Sequence, residues 1–226
     1  MALSALFVGA LFAGPLAAED AKGPNIDPTG GGKGGAVATL AMAHELFLLG
    51  EAHGDALIVL AAARLAATVG TAPGKELKRS TSGGEAAQEA GAPPQGPADA
   101  DAMFERALSL AGEDAFLADV ILDARGATGR GRIGGAFSQR ASLTPGRTDS
   151  WEIPFAGGAY AELSVIGTGA SDLDILVTDE NGNVICFEGG QEDALYCDFI
   201  PSWDGFFVVA VENKGASAAA YDLVTN

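Results

Sequence analysis

The sequence predicts an α+β protein in which a small N-terminal helical unit precedes an antiparallel, jelly-roll-like β-sandwich. Up to about residue 125, apolar residues recur at helical spacing. After the glycine-rich stretch at residues 126–135, apolar and polar residues alternate, which is the period of a strand. Long Gly-, Ala- and Pro-rich stretches divide the 226 residues, which favours two small packed units over one large core.

Residues 1–18 read as a secretory signal peptide. An apolar run from Ala2 to Ala13 is followed by Pro15 and small residues, so we expect cleavage after Ala18. No Lys or Arg precedes the run, which a start codon further upstream would explain. The alternative is an apolar helix of a folded domain, but no polar face or cap accompanies the run. The mature protein is therefore expected in the periplasm or outside the cell.

No later segment reaches the ~20 uninterrupted apolar residues that cross a bilayer. The nearest candidate, residues 56–69, is too short and contains Arg64. We therefore expect no integral membrane segment.

The chain is strongly acidic. Thirty Asp and Glu residues against thirteen Lys and Arg give a formal charge of −17, which repels nucleic acid and anionic lipid surfaces. The expected partners are cations, neutral polymers or other proteins. The alternative reading is that the acidity serves solubility alone.

The first half is predicted to contain two helical hairpins. Asp55 is a candidate N-cap and Gly70 a helix stop in the first hairpin, and Asp99 or Asp101 caps the second. The predicted order by residue number is a disordered leader at 19–35, a hairpin at 36–70, a disordered loop at 71–98, a hairpin at 99–125 and a linker at 126–139.

The helix at residues 36–49 is apolar on nearly every side, so it needs more cover than one hairpin partner provides. The second hairpin is expected to supply that cover and to close a four-helix unit. These helical pairs resemble tetratricopeptide-type repeats, although the tryptophan, tyrosine and proline positions of that repeat are not recovered. Apolar area left uncovered on this helix would favour docking of a protein partner.

Several short strands with Gly-, Asn- and Pro-containing turns follow from residue 140, which predicts an antiparallel sandwich. The succession "WEIPFAGGAYAELSVIG", "SDLDILVTDENGNVI", "FIPSWDGFFVVAVEN" and "AAAYDLVTN" resembles the bacterial pre-peptidase C-terminal domain. This resemblance covers residues 140–226 and implies a β-sandwich accessory module of a secreted protein, with calcium binding in some relatives. The chain departs from that pattern because no recognisable protease precedes the module.

Asp172 and Asp174 share one strand parity, so their carboxylates should lie about 7 Å apart on one face. A Ca²⁺ ion held by these two side chains and Asp179 would neutralise their repulsion. The alternative is a solvated face that binds no cofactor. The loop after Asp179 is not an EF-hand, because its twelfth position is Gly190. No other cofactor is predicted.

Asn181 and Gly182 are expected to form a type I′ hairpin turn, which requires positive φ at both residues. Cys186 and Cys197, the only cysteines, are predicted to form a disulfide across neighbouring strands. The two histidines, His44 and His53, lack metal-ligand spacing, so a packed and hydrogen-bonded His44 is expected.

No catalytic constellation emerges from these residues. The primary interpretation is an exported, non-enzymatic protein whose β-sandwich binds a protein, a polymer or Ca²⁺. The alternative is an accessory subunit that docks a secreted enzyme through its helical unit, and a hydrolase is a third reading.

Overall fold

A computed structural model describes residues 23–32, 34–74, 77–84, 94–127, 135–191 and 193–226. The predicted signal peptide lies outside the described residues. Within them, helices come first and two β-sheets follow for the most part, which confirms the predicted fold class.

Among the described residues, four helices form the helical unit: α1 Ala36–His53, α2 Ala56–Ala67, α3 Ala100–Ala111 and α4 Ala115–Ala127. Two predicted N-caps are confirmed. The Asp55 carboxylate accepts hydrogen bonds from the backbone N–H groups of Leu57 and Ile58, and Asp99 accepts one from Ala102. Among the described helices, none is both long enough and apolar enough to span a membrane.

Within the part of the chain that the structure describes, ten strands form two five-stranded sheets, which pack face to face around the main core. The first sheet has the order β1-β3-β10-β5-β8 and the second sheet the order β2-β4-β9-β6-β7. The strands are β1 Gly70–Pro73, β2 Lys78–Gly83, β3 Gly135–Leu143, β4 Arg147–Phe155, β5 Ala161–Ile166, β6 Leu173–Asp179, β7 Val184–Glu188, β8 Ala194–Phe199, β9 Gly205–Asn213 and β10 Ala219–Thr225.

The sandwich recruits segments that the sequence assigns to a disordered loop and a linker. β1 and β2 lie within residues 71–98 or at their edge, and β3 begins within residues 126–139. β1 pairs with β3 in parallel, and β2 pairs with β4 as an antiparallel edge. Every residue of β2 is exposed, and the strand adds no side chain to the apolar core. Such an edge strand carries no apolar alternation for sequence reasoning to detect.

The segment predicted as a disordered leader is ordered in the part that the structure describes. From residue 23 it lies on one end of the sandwich, and Asn25 is completely buried. Its backbone N–H donates to an Asp179 carboxylate oxygen at 2.9 Å, and the Asp27 N–H donates to the Ile200 carbonyl at 2.7 Å. Specific polar contacts order this segment despite a composition that is poor in apolar side chains.

The helical unit packs directly on the first sheet, so the protein has three layers. Val37 of α1 lies in an apolar cluster with Val69, Ala136, Ile166 and Val224. All six residues of β5 are buried, because one side faces the second sheet and the other faces α1. The outer face of the first sheet is thereby covered by a helix.

Candidate functional site

Several apolar side chains on the outer face of the second sheet are exposed to solvent. Phe187 is 63% exposed, Val184 60% and Phe206 42%. The strand register places Phe187 beside Leu176, and Val184 in the same row as Thr178 and Val208. We use the name outer apolar face for the set Leu176, Val184, Phe187, Phe206 and Val208.

Strand alternation explains why these side chains face outward. In β6 the residues from Leu173 to Asp179 alternate between buried and half-buried positions. Leu176 therefore lies on the side away from the core, and its register partner Phe187 lies on the same side. In β9, Phe207 enters the core and the neighbouring Phe206 does not.

One border of this face is acidic. Asp174 of β6 lies opposite Glu212 of β9 in the register, and Asp172 directly precedes β6. Lys214 pairs with Glu212 at 2.8 Å. The hydrogen bond to Glu212 raises the pKa of Lys214 above its usual value, and the charges of Asp174 and Asp172 act in the same direction. Lys214 thus pairs with Glu212 beside the charges of Asp174 and Asp172.

The three predicted calcium ligands do not come together. Asp172 and Asp174 lie on the outer side of β6, whereas Asp179 is 99% buried at its far end and belongs to the inward-facing set. Asp179 lies five positions after Asp174 along the strand, which corresponds to about 17 Å. Among the residues that the structure describes, no group of three or more His, Cys, Asp or Glu side chains is arranged to hold a metal ion.

Asp179 instead organises the turn and the N-terminal segment. Its carboxylate accepts hydrogen bonds from the backbone N–H groups of Asn25, Asn181 and Asn183, and from the Asn183 side chain. Burial acts to raise the pKa of Asp179, but these hydrogen bonds outweigh it and hold that pKa below its usual value. A carboxylate that is satisfied in this way is a structural anchor.

The turn after Asp179 is not type I′, and that prediction is wrong. Gly182 has a φ of 82°, but Asn181 does not adopt positive φ. The Gly182 N–H donates to the Asp179 carbonyl, and the Asp179 N–H donates to the Asn183 carbonyl. This pattern is a three-residue hairpin loop, and the strand pairing shifts register beyond Val177. The Asp179 side chain holds the asparagine N–H groups and favours this loop over the two-residue turn.

The disulfide between Cys186 and Cys197 is confirmed, with 6.2 Å between the Cα atoms. Its predicted placement across two strands of one sheet is wrong. Cys186 lies on β7, the edge of the second sheet, and Cys197 lies on β8, the edge of the first. The bond therefore joins the two sheets at one side of the sandwich.

Sequence reasoning missed the outer apolar face because both strand parities are apolar in "VICF" and "GFFVV". Such runs show that a strand is buried on at least one side, but they do not say which side lacks a cover. The sequence did contain one signal of an exposed apolar side, the adjacent pair Phe206 and Phe207. Only one of two neighbouring residues in a regular strand can enter the core, so the other must lie on the outer side.

Comparison with known proteins finds no matching family model and no matching curated protein. Solved structures do match. The pre-peptidase C-terminal domain of a collagenase from Bacillus anthracis is 18% identical with a TM-score of 0.35, and the match covers 42% of this chain and 91% of that one. A mitogen from Yersinia pseudotuberculosis is 13% identical with a TM-score of 0.29, covering 42% of this chain and 86% of that one.

A periplasmic inhibitor of g-type lysozyme from Aeromonas hydrophila is 16% identical with a TM-score of 0.29, covering 40% of this chain and 84% of that one. The first of these solved structures is a pre-peptidase C-terminal domain, the family that the sequence of residues 140–226 resembles.

Proposed function

We propose that this chain is an exported, non-enzymatic binding protein whose outer apolar face docks a protein partner that carries basic groups. The observation that carries the proposal is the contrast between the two sheets, since α1 covers the first and the second leaves Phe187, Val184 and Phe206 exposed. Exposed apolar surface with a polar border is typical of interaction sites. The disulfide supports an oxidising compartment and hence export.

The charge favours a different protein over a second copy of this chain. Two copies meeting through this face would bring the acidic border at Asp174 and Glu212 close to its counterpart, and the whole chain carries a formal charge of −17. A partner with Lys or Arg beside an apolar patch complements both features. Aliphatic Leu176, Val184 and Val208 suit such a patch better than they suit a hydroxyl-rich polymer.

The alternative, docking of an enzyme through the helical unit, also has a specific observation in its favour. Met42 and Leu49 of α1 are 56% and 47% exposed, and Phe116 of α4 is 79% exposed. The helix that is apolar on nearly every side is therefore only partly covered. The two surfaces lie on different layers, so substitutions distinguish them.

The test compares Phe187→Asp with the matched variant Phe116→Asp, each of which places a charge on an exposed phenylalanine. Immobilised wild type and both variants would be used to capture partners from an extract of the producing cells, and thermal melting would verify that all three fold. A protein retained by wild type and Phe116→Asp but lost by Phe187→Asp supports the proposal. Loss with Phe116→Asp alone supports docking through the helices and overturns it.

Two further outcomes also overturn the proposal. Retention of a polysaccharide without any protein would assign the face to a polymer. Sedimentation velocity that shows a dimer of wild type and a monomer of Phe187→Asp would assign the face to self-association.

A further inference from the structure

Strand β7 is an open edge of the second sheet. It pairs with β6, and among the described residues no strand lies on its other side. An edge strand presents backbone N–H and C=O groups that can pair with another chain. The outer apolar face reaches this edge, because Val184 and Phe187 belong to β7. Unpaired backbone groups and exposed apolar side chains therefore lie side by side.

Two hydrogen bonds determine which backbone groups of β7 point away from β6. The Asp179 N–H donates to the Asn183 carbonyl, so the hydrogen bonds of Asp179 are directed toward β7. Near the start of β6, the Lys214 N–H donates to the Asp172 carbonyl at 2.8 Å, so Asp172 is directed toward β9. The direction alternates from one residue to the next in an antiparallel ladder. Both bonds therefore indicate that the odd-numbered residues of β6 bond to β7 and the even-numbered residues bond to β9.

Val184 and Phe187 are the β7 residues whose backbone groups point outward. In the register Val184 lies opposite Thr178 and Phe187 lies opposite Leu176. Since these two residues of β6 bond to β9, their β7 partners occupy positions without hydrogen bonds to β6, and their N–H and C=O groups point away from the sheet. The register shift beyond Val177 explains why the two are three positions apart in β7 although their partners are two apart.

β7 also lacks the residues that protect the other three sheet edges. β1 contains Pro73, and β2 carries Lys78 and Arg79. β8 carries the exposed Asp198. Proline and charged side chains oppose the pairing of an edge with another chain, whereas residues 184–187 of β7 read VICF, without either. The disulfide ties this edge to the first sheet, so the strand is held in place before a partner binds.

The acidic border determines the charge and the direction of a partner strand. β7 runs toward this border, because its last residue, Glu188, pairs with Ile175, the neighbour of Asp174. A strand that pairs antiparallel with β7 therefore begins at the border. Basic residues at its N-terminal end would lie near Asp174 and Glu188. Apolar residues that follow would lie beside Phe187 and Val184.

We propose that the partner of the outer apolar face binds by strand addition, through an extended segment in which basic residues precede alternating apolar ones. The segment pairs antiparallel with β7 and exchanges hydrogen bonds with the backbone of Val184 and Phe187. Every second side chain lies on the outer apolar face. This inference rests on the function proposed for that face, and it specifies the conformation, direction and charge of the partner segment.

The test uses the peptide KKVTVT with blocked ends. Residues directly opposite Val184 and Phe187 share their side of the sheet and turn their N–H groups toward β7, so the valines are the residues that pair. N-methylation of both valines removes the N–H groups that pairing requires. N-methylation of both threonines, whose N–H groups point away from β7, is the matched control. The reversed peptide TVTVKK tests the direction.

Binding is followed by amide NMR of the isotope-labelled protein and by hydrogen exchange. We expect saturable shifts in β7 and slower exchange of the Val184 and Phe187 amides with the parent peptide. Methylation of the valines should weaken binding about tenfold or more, as the loss of two hydrogen bonds implies, whereas methylation of the threonines should change it about twofold or less. The reversed peptide should bind about fivefold more weakly, because its lysines lie away from the border.

Two substitutions at one position of β7 provide the second arm. Val184→Pro removes the outward N–H and leaves the bonds to β6 in place, while Val184→Ala shortens the same side chain and keeps that N–H. We expect the proline variant to bind the parent peptide about tenfold more weakly than the alanine variant. If the proline variant does not fold, the methylated peptides still decide the question.

Strand addition is overturned if the parent peptide gives no saturable shift in β7, or if the two methylated peptides bind equally well. Equal affinity of the reversed peptide overturns the assigned direction. Slow exchange of the Val184 and Phe187 amides in the dilute free protein would show that the chain itself covers the edge, and protection that grows with protein concentration would show self-association. Both results also overturn strand addition. The role of the outer apolar face is tested separately by capture with Phe187→Asp, so the two proposals can fail independently.

Discussion

The side chain of Glu162 on β5 accepts a hydrogen bond at 2.6 Å from the backbone N–H of Gly35, the residue that precedes α1. The same oxygen accepts from the Tyr196 hydroxyl at 2.9 Å. Burial raises the pKa of Tyr196, so its hydroxyl remains a donor. A buried carboxylate of the first sheet thus lies at the N-terminus of the helix packed on it, where its charge complements the helix dipole.

We expect Glu162→Ala to lower the free energy of unfolding by about 2 kcal/mol, because it removes a helix cap and leaves buried donors without an acceptor. Urea denaturation followed by circular dichroism measures the loss. Glu45→Ala, an exposed position on α1, is the matched control and should change stability by about 0.5 kcal/mol or less. Equal effects of the two substitutions would show that Glu162 does not stabilise α1.

The edge strand β2 offers two neighbouring ion pairs of different burial. Arg79 pairs at 2.6 Å with Asp149, whose side chain is 0% exposed, while the Lys78 side chain is 75% exposed and pairs with Glu152. We expect Arg79→Ala to cost about 3 kcal/mol, because it leaves a buried carboxylate without its cation. Lys78→Ala should cost about 0.5 kcal/mol or less.

Hydrogen exchange of the β2 amides provides a second comparison of Arg79→Ala with Lys78→Ala. Arg79→Ala should reduce their protection, and Lys78→Ala should not. Tyr221 also donates to Asp149, at 2.6 Å, and would keep the carboxylate partly satisfied. If both variants are equally stable, the Arg79 pair does not hold β2 on the sandwich.

The disulfide between Cys186 and Cys197 should stabilise the protein by about 3 kcal/mol, as closing a loop with a sequence separation of 11 residues implies. The double variant Cys186→Ser, Cys197→Ser should lose that amount in urea denaturation. A reducing agent should lower the melting temperature of the wild type and leave that of the double variant unchanged. An equal response of both proteins to the reductant would contradict this assignment.

Stability should fall between about pH 6.5 and pH 5 because of His44. Burial lowers the pKa of His44 in the folded state, whereas the unfolded imidazole titrates near 6.5. Below that pH the unfolded chain binds a proton that the folded protein excludes, so the free energy of unfolding decreases by at most about 1.4 kcal/mol per pH unit. Asp179, whose pKa is lowered, contributes its own loss only below about pH 4.

Denaturation curves at successive pH values measure this slope. His44→Gln should flatten it between about pH 6.5 and pH 5, since Gln does not titrate in that range. His53→Gln, on the exposed end of α1, should preserve it. A slope that survives in His44→Gln would assign the pH dependence to another group.

Asp174 and Asp179 should differ in their contribution to stability. Asp179→Ala should cost about 2 to 3 kcal/mol, because it leaves the amides of Asn25, Asn181 and Asn183 without their acceptor. Asp174→Ala, at a half-buried position on the outer side of β6, should cost about 0.5 kcal/mol or less.

Calorimetry with Ca²⁺ extends this comparison. The two carboxylates lie about 17 Å apart along the strand. We therefore expect added Ca²⁺ to leave the difference in melting temperature between Asp174→Ala and Asp179→Ala unchanged. A gain in wild-type melting temperature that is lost in both variants would show that the two aspartates share one ion.

Local chemistry in the sequence determined the features that depend on near neighbours. Asp55 and Asp99 cap their helices because an Asp side chain reaches backbone N–H groups two or three residues ahead. The strand alternation of residues 173–179 likewise predicted β6. The cysteine pair followed from its being the only one available in a chain expected to be exported.

Tertiary structure alone decided what depends on distant partners. Strand β2 has no apolar pattern; it pairs with β4 through its backbone, and its Arg79 side chain donates to Asp149. The segment around Asn25 is held in place by the Asn25 N–H, which donates to Asp179. The open face of the second sheet and the burial of His44 both depend on which sheet the helices cover. Residue periodicity specifies that a strand has two sides, but only the packing of elements far apart in the chain decides which side meets water.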